Sequence, residues 1–321
     1  LAELAGLPAR QFVQQALVNG LGATGVVVGE DFRFGRGREG DVALLWDLGR
    51  EFGFEVSTVA AVELNGERIS SSGIRKSLAV GDFEKAAQSG GLAVALADAL
   101  SARGGIWFGW DGEVVPAGTR VPPKVKTIDN VTTVTLPLTR KDYNQFYVGF
   151  TNSVLWPIFH YRLDLASHQS AYLSGYKRVN SKFADALSAL LEPDDVVWVH
   201  DYHLIPLADE LRKRGHQNKM GFFLHIPFPS YEIFTATPGY DWIGTALLSY
   251  DLVGFQTKTD NANFRHFVTS EFGDRTTEDG DAIMFGSRRT TTGCFPIGID
   301  VDAFRALAYS KEADERITYL E

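Results

Sequence analysis

Residues 195–234 read DVVWVHDYHLIPLADELRKRGHQNKMGFFLHIPFPSYEIF. Two apolar, strand-like runs, 196–199 and 222–226, each break into polar residues at their carboxyl ends. The first break gives His200, Asp201, Tyr202 and His203; the second gives His225 and then Pro227-Phe228-Pro229. Between the runs, Leu204, Leu207, Ala208 and Leu211 fall on one face at helical spacing. Arg212, Lys213 and Arg214 occupy the last turn of that helix and Gly215 ends it. Strand–helix–strand predicts two parallel neighbours, with Asp201 and His225 at the same edge. That is the edge where open α/β sheets bind ligands.

Working outward, the 321-residue length leaves room for two domains. A 45% hydrophobic and 22% charged composition suits globular cores. The formal charge of −9 argues against nucleic acid as the main partner, because phosphate binding draws on clustered Lys and Arg. A single cysteine, Cys294, excludes an internal disulfide framework and fits a reducing, cytoplasmic setting. No apolar run approaches the ~20 residues of a membrane span, and no signal peptide is read at the start. The chain opens at Leu1 in what reads as mid-helix sequence, so it is expected to be a fragment at that end.

The amino-terminal part reads as helix 8–21, a short buried strand 25–28, a glycine- and arginine-rich loop 29–38, helix 41–52 and strand 55–62. An Asn65-Gly66 turn follows, then Ile69-Ser70-Ser71-Ser72-Gly73-Ile74-Arg75 at the head of another helix. Glycines after a strand admit backbone N–H groups to a phosphate, and serines at a helix start add hydroxyls beside its positive end. Each motif alone reads as readily as a turn or a helix cap.

After about residue 88 the character changes. Gly90-Gly91 opens a helix with Leu92, Ala95, Leu96 and Ala99 on one face, an entry suited to a diphosphate but common in helices. An aromatic-rich buried strand is expected at 106–110, a polar loop at 111–126 and a strand at 131–136. Thr139 and Asp142 suggest a capping box for a helix reaching about Leu155. Of its aromatics, Phe146 and Phe150 read as core. Tyr147 and Trp156 are the candidates for serving a sugar phosphate beside a stacking surface. A helix at 172–191 precedes the central unit. Beyond it lie helices 231–238 and 242–250, strand 252–256, a helix capped by Thr259, a polar segment 273–292, strand 293–297 and a last helix 301–307.

Two resemblances join these motifs. VVVGEDFRFGRGREGD (26–41) with RISSSGIRKSLAVGDFEKAA (68–87) resembles the adenylyltransferase domain of bacterial bifunctional riboflavin kinase/FAD synthetases. It implies a partial α/β nucleotidyltransferase-like domain over residues 1–87, with Ser71, Ser72 and Arg75 facing ATP and the loop 31–38 serving nucleotide or FMN. From residue 89 onward, SGGLAVAL, GGIWFGW, FYVGFTNSVLWPIFHY, DDVVWVHDYHLIPLADELR, GFFLHIPFP, YDLVGFQT and FPIGID resemble, in order, the trehalose-6-phosphate synthases, retaining glycosyltransferases of family 20. This resemblance implies a Rossmann-like parallel sheet, the amino-terminal domain of a GT-B glycosyltransferase, over residues 88–321. It also implies glucosyl transfer from UDP-glucose to glucose-6-phosphate without a metal or other cofactor.

Carried over by position, Gly90 and Gly91 fall at the sugar-nucleotide, and Tyr147, Trp156 and Asp201 at the acceptor. His225 falls beside the transferring glucose. In the family the cations that stabilise the leaving diphosphate belong to a carboxyl-terminal domain, and an acceptor-phosphate arginine belongs to a first strand replaced here by the flavin-type segment. The expectation is therefore a junction of two incomplete enzymes with weak or absent turnover. FMN adenylylation by the first part, or a sugar-phosphate-binding relic without catalysis, are the alternatives; homo-oligomerisation is left open.

Overall fold

The computed structural model describes residues 7–30, 32–59, 63–64, 67–68, 104–119, 122–128, 130–298 and 301–310. Ser71, Ser72, Arg75, Gly90 and Gly91 lie outside the described residues, as do Asp31, the helix expected after Gly91 and the boundary expected near residue 88. The chain divides into two compact units, Leu1–Gly112 with Lys124–Thr135, and Glu113–Pro123 with Leu136–Glu321.

In the first unit, strands Gly25–Gly29 and Glu55–Val59 pair in parallel, joined through helix Val42–Phe52. Asp41 caps that helix by accepting the Leu44 N–H at 2.9 Å, and Gly53 ends it at φ 80°. The amino-terminal helix runs as Ala9–Phe12 and then Val13–Gly20. Ala9, Val13, Val28, Phe34, Val42, Leu45, Leu48 and Phe54 form one buried cluster. The glycine- and arginine-rich loop is anchored in it. Phe34 is buried and stacks on Phe32, and Gly35, at φ 75°, passes so close to Ala9 that a Cβ would meet its Cα at 2.6 Å. The strand expected to be buried at 25–28 is only partly so: Val28 faces the cluster while Val27 is exposed, as alternation along a strand with one covered face requires. Strands Glu63–Leu64 and Glu67–Arg68 pair antiparallel.

The same unit holds a three-stranded sheet in which Val131–Thr135 lies between Gly105–Gly109, parallel to it, and Lys124–Ile128, antiparallel. The sequence reading missed the strand Lys124–Ile128 and expected full burial of the aromatic one. Among the described residues Gly105–Gly109 has a partner on one side only, and Ile106 is exposed.

In the second unit a six-stranded sheet runs in the order Val196–His200, Lys219–Leu224, Leu252–Phe255, Arg288–Cys294, Ala282–Phe285, Thr276–Asp279. The first four strands are parallel and the last two antiparallel. The parallel strands are connected through helices Leu207–Lys213, Tyr240–Leu247 and Lys258–Phe272. The segment read only as polar, 273–292, holds two added edge strands, and the strand expected at 293–297 runs instead as Arg288–Cys294. Gly280 and Gly286, at φ 57° and 60°, supply the turns between these strands. The cap of Lys258–Phe272 is Thr257, not Thr259: Thr257 Oγ1 accepts the Asp260 N–H at 3.1 Å, and Asp260 Oδ2 accepts the Thr257 N–H at 3.2 Å. Asp260 Oδ1 also accepts the Phe228 N–H at 3.0 Å. This ties the 227–229 loop to a ring cluster of Phe159, Phe228, Phe234, Phe255, Phe264 and Phe267.

Helix Ser170–Ser188 packs on the long helical stretch Arg140–Asp142, Tyr143–Leu155 and Trp156–Phe159, whose middle is wound with the wider i→i+5 period. Within it Thr151 Oγ1 donates to Phe146 O at 2.7 Å. Glycines set the closeness of the pair: a Cβ on Gly175 would meet Gln145 Cβ at 2.4 Å, and one on Gly149 would meet the Tyr172 ring at 2.6 Å. A buried carboxylate locks it, since Asp142 accepts from Arg178 Nε at 2.8 Å and from Lys182 Nζ. No described helix is long and apolar enough to cross a membrane.

Candidate active site

The carboxyl ends of Val196–His200 and Lys219–Leu224 meet in one polar group. Register explains how. His200 pairs with Phe223, and His225 lies two residues beyond Phe223, hence on the same face of the sheet as His200. His200 Nδ1 lies 3.0 Å from His225 Nε2. The Trp198 ring is 4.4 Å from that of His200, and Phe223 presents itself edge-on to His225 at 4.8 Å.

Asp201, next to His200 in the chain, has φ 66° and ψ 171°. This is a backbone region that only glycine enters freely; other residues there store about 1–3 kcal/mol of strain. Two hydrogen bonds hold it in place. Its N–H donates to Phe223 O at 2.8 Å, continuing the ladder, and its Oδ1 accepts the His225 N–H at 3.3 Å. Asp201 makes no side-chain cap to the turn Tyr202–Leu204. The carboxyl group is turned toward the next strand end.

Burial raises the Asp201 carboxyl from its usual 3.8 to about 6, against the smaller opposing pull of N–H donors from Tyr202 and His225. The His200 imidazole is lowered to about 4, first by burial and then by the neighbouring His225. Burial lowers His225 as well. Near neutral pH the group therefore holds two neutral imidazoles and a carboxylate that takes up a proton on mild acidification. That set can accept from sugar hydroxyls through Asp201 and orient a sugar oxygen through His225.

An aromatic wall adjoins it. His203 stacks on Tyr147 at 5.7 Å and 20°, and Tyr147 stacks on Tyr143 at 5.7 Å. Tyr202 OH donates to Asn152 Oδ1 at 3.3 Å, and Tyr202 O accepts from the buried Tyr176 OH at 2.7 Å. Asn180, fully buried, donates to His203 O at 3.3 Å and to Tyr176 O at 3.0 Å, fixing the turn that follows Asp201. Burial raises the Tyr202 phenol, so it stays a neutral donor.

Thus Asp201 and His225 are brought into one hydrogen-bonded group, and Tyr147 reaches it through His203. Trp156 belongs to a different local cluster. Its half-exposed indole stacks on His160 at 4.2 Å, and the adjoining Tyr161 OH accepts the Ser230 N–H at 2.9 Å. His200, Tyr202 and His203 were read only as part of the polar strand end, without a role, and Asn180 was not read. The signal for His200 was there, in a polar residue at a strand end whose register matches the His225 strand.

A family model for glycosyltransferase family 20 matches residues 64–321 of this geometry-bearing sequence. The chain belongs to glycosyltransferase family 20. A second model, FAD synthetase, matches residues 2–73. Trehalose-6-phosphate synthase of Cronobacter sakazakii is 48% identical over 217 residues, covering 68% of this chain and 45% of that protein. The chain therefore spans about half the length of the curated family-20 relatives it matches. Among solved structures, an alpha,alpha-trehalose-phosphate synthase (UDP-forming) from Burkholderia xenovorans in complex with glucose-6-phosphate is 43% identical, with a TM-score of 0.65. It covers 71% of this chain and 51% of its own. An Escherichia coli family-20 structure bound with UDP-2-fluoro glucose is 42% identical at the same TM-score, covering 71% and 50%. These likenesses bear out the GT-B amino-terminal fold read from the sequence.

Proposed function

We propose that this chain supplies the acceptor-binding part of a retaining glucosyltransferase that moves glucose from UDP-glucose to glucose-6-phosphate, giving trehalose-6-phosphate. The observation that carries the reading is the Asp201–His225 group at adjacent parallel strand ends, in a chain of family 20. Its relatives solved with glucose-6-phosphate and with a UDP-sugar support the two substrates. In this reading the Asp201 carboxylate accepts from acceptor hydroxyls and steers the attacking oxygen, while Tyr147 and Trp156 line the sugar phosphate. His225 holds the donor glucose as positive charge develops on its ring. Gly90 and Gly91 approach the sugar nucleotide. No metal takes part. The 321 residues by themselves bind acceptor but turn over weakly or not at all, because stabilising the leaving diphosphate is worth several kcal/mol and its cations lie, in the family, in the other domain.

The test is stability against glucose-6-phosphate. At ten times Kd the ligand should add about 1.4 kcal/mol to the unfolding free energy. Asp201→Ala or Tyr147→Phe should reduce that gain at the same concentration. No protection at any attainable concentration sinks the acceptor reading, and ready UDP release from the two substrates sinks the claim of weak turnover.

The FAD synthetase match favours a second reading for the first part, nucleotide binding of the FMN adenylyltransferase kind with Ser71, Ser72 and Arg75 at ATP. FMN and ATP binding that is lost in Arg75→Ala supports it; no binding ends it.

A further inference from the structure

We propose that Tyr250 is a positioning residue for the Asp201 group: its buried hydroxyl holds the 202–205 turn, and the turn fixes where the Asp201 carboxylate and the His203 ring stand. Asp201 leaves its strand at φ 66°, and the chain turns through Tyr202–Leu204 before helix Leu207–Lys213 begins. So short a turn closes no ladder of its own, and its carbonyls need partners from elsewhere. Three side chains meet all four. Tyr202 O accepts from Tyr176 OH at 2.7 Å, and His203 O accepts from Asn180 Nδ2 at 3.3 Å. Leu204 O and Ile205 O share the Tyr250 hydroxyl proton, at 3.2 and 3.0 Å.

Chemistry fixes the direction of these bonds, since a carbonyl can only accept. The same Tyr250 oxygen accepts the Ala208 N–H at 3.4 Å, one of the donors that a helix leaves open in its first turn. One hydroxyl thus ties the turn to the helix that follows it. The ring is placed to do so. Tyr250 is buried, packs on Phe222 at 5.2 Å, and its own carbonyl accepts from the buried Thr290 hydroxyl at 2.9 Å. A phenylalanine would fill that space equally well, so the hydroxyl is what the turn requires. The residues it steadies carry the site's contacts: Asp201 Oδ1 on the His225 N–H, Tyr202 OH on Asn152, and His203 stacked on Tyr147. That this group receives a sugar phosphate rests on the proposed function; the hold of Tyr250 on the turn does not.

The test is amide hydrogen exchange on the full chain carrying Tyr250→Phe. The reporters are the Asp201 N–H, which donates to Phe223 O, and the His225 N–H, which donates to Asp201 Oδ1. The references are the Phe228 and Phe295 N–H groups, which donate to Asp260 Oδ1 and Phe255 O. Exchange at the reporters should rise about fivefold beyond any rise at the references, and Kd for glucose-6-phosphate should rise about fivefold. Ile243→Val, which trims a buried methyl group from helix Tyr240–Leu247, should lower stability and leave both the exchange ratio and Kd unchanged. Equal rises at reporters and references, an unchanged Kd, or the same rise in Kd with Ile243→Val makes Tyr250 a core residue only and overturns the proposal. Should Tyr250→Phe not fold, Thr290→Val, which removes the donor to the Tyr250 carbonyl, is read in the same way. If the wild-type chain binds no glucose-6-phosphate, the acceptor reading falls and the exchange ratio alone decides the role of Tyr250.

Discussion

Asp201 illustrates how a single position couples backbone and side chain. Its φ of 66° with ψ of 171° belongs to glycine, yet a glycine there would have no carboxylate to present. Two substitutions separate these roles. Asp201→Ala keeps the strained backbone and loses the bond to the His225 N–H, whereas Asp201→Gly loses the same bond and relieves the strain. In urea melts the Gly variant should be about 1–2 kcal/mol more stable than the Ala variant, with acceptor binding weakened in both. Equal stabilities would mean that the backbone is not strained.

Protonation at the same residues gives a second prediction. The Asp201 carboxyl rises from 3.8 to about 6 on folding, so its contribution is most favourable below its unfolded pKa and is lost as pH rises through about 6. His200 falls from 6.5 to about 4, so its contribution is present above 6.5 and is lost as pH falls toward 4. The two oppose each other across the same window. Asp201→Asn should therefore make acid destabilisation between pH 6 and 4 steeper, by about 2–3 kcal/mol over the window, and His200→Asn should make it shallower. Stability measured against pH in the two variants checks both signs. Asp201 and His225 were legible because polar residues ending apolar runs mark a sheet edge. The backbone of Asp201 was not legible, since an aspartate in a strand-to-turn step carries no compositional sign of a glycine-like φ.

At the scale of elements, the helices Tyr143–Leu155 and Ser170–Ser188 carry Tyr147 and Asn180, and their approach is set by Gly149 and Gly175. Gly175→Ala would press a methyl group into Gln145 Cβ and its backbone carbonyl carbon at 3.1 Å, which a helix pair locked by Asp142 cannot yield cheaply. The expected cost is about 1–3 kcal/mol in chemical denaturation, with weaker glucose-6-phosphate protection as the Tyr147–His203 stack shifts. The strand–helix–strand core was readable because period-two and helical patterns alternate cleanly there. The hairpin 276–285 was not, because 276–281 carries no apolar residue and the four apolar residues that follow, Ala282, Ile283, Met284 and Phe285, are consecutive and so set no alternation. The Thr257 cap was misplaced by two residues for a similar reason. Thr257 and Thr259 both precede the apolar run, and only the reciprocal bond with Asp260 distinguishes them.

Over the whole molecule, two family models match one sequence, and their matched ranges overlap at residues 64–73. Both were legible because motif order, rather than any single motif, carried each resemblance. The boundary between them was read from where one resemblance ends and the other begins, near residue 88, and falls outside the described residues. Amide hydrogen exchange on the full chain gives a map that neither match provides. Glucose-6-phosphate should slow exchange at 200–204 and 225–230 and in the helix bearing Tyr147, and leave 25–29 and 55–59 unchanged. Protection in the latter segments instead would move the sugar-phosphate site to the first unit.

One feature of the sheet makes such measurements simpler. Cys294 is the sole thiol of the 321 residues, and it ends the strand Arg288–Cys294 at the sheet's carboxyl edge, half-buried with Sγ donating to Gln256 O at 3.4 Å. Gln256 in turn accepts the Ile297 N–H at 3.0 Å, so the thiol's surroundings report the order of that strand end. A trifluoromethyl tag placed on this sulfur would be chemically unique without any engineered residue. The native chain thus carries its own attachment point for a fluorine reporter at the edge where a ligand is expected to arrive.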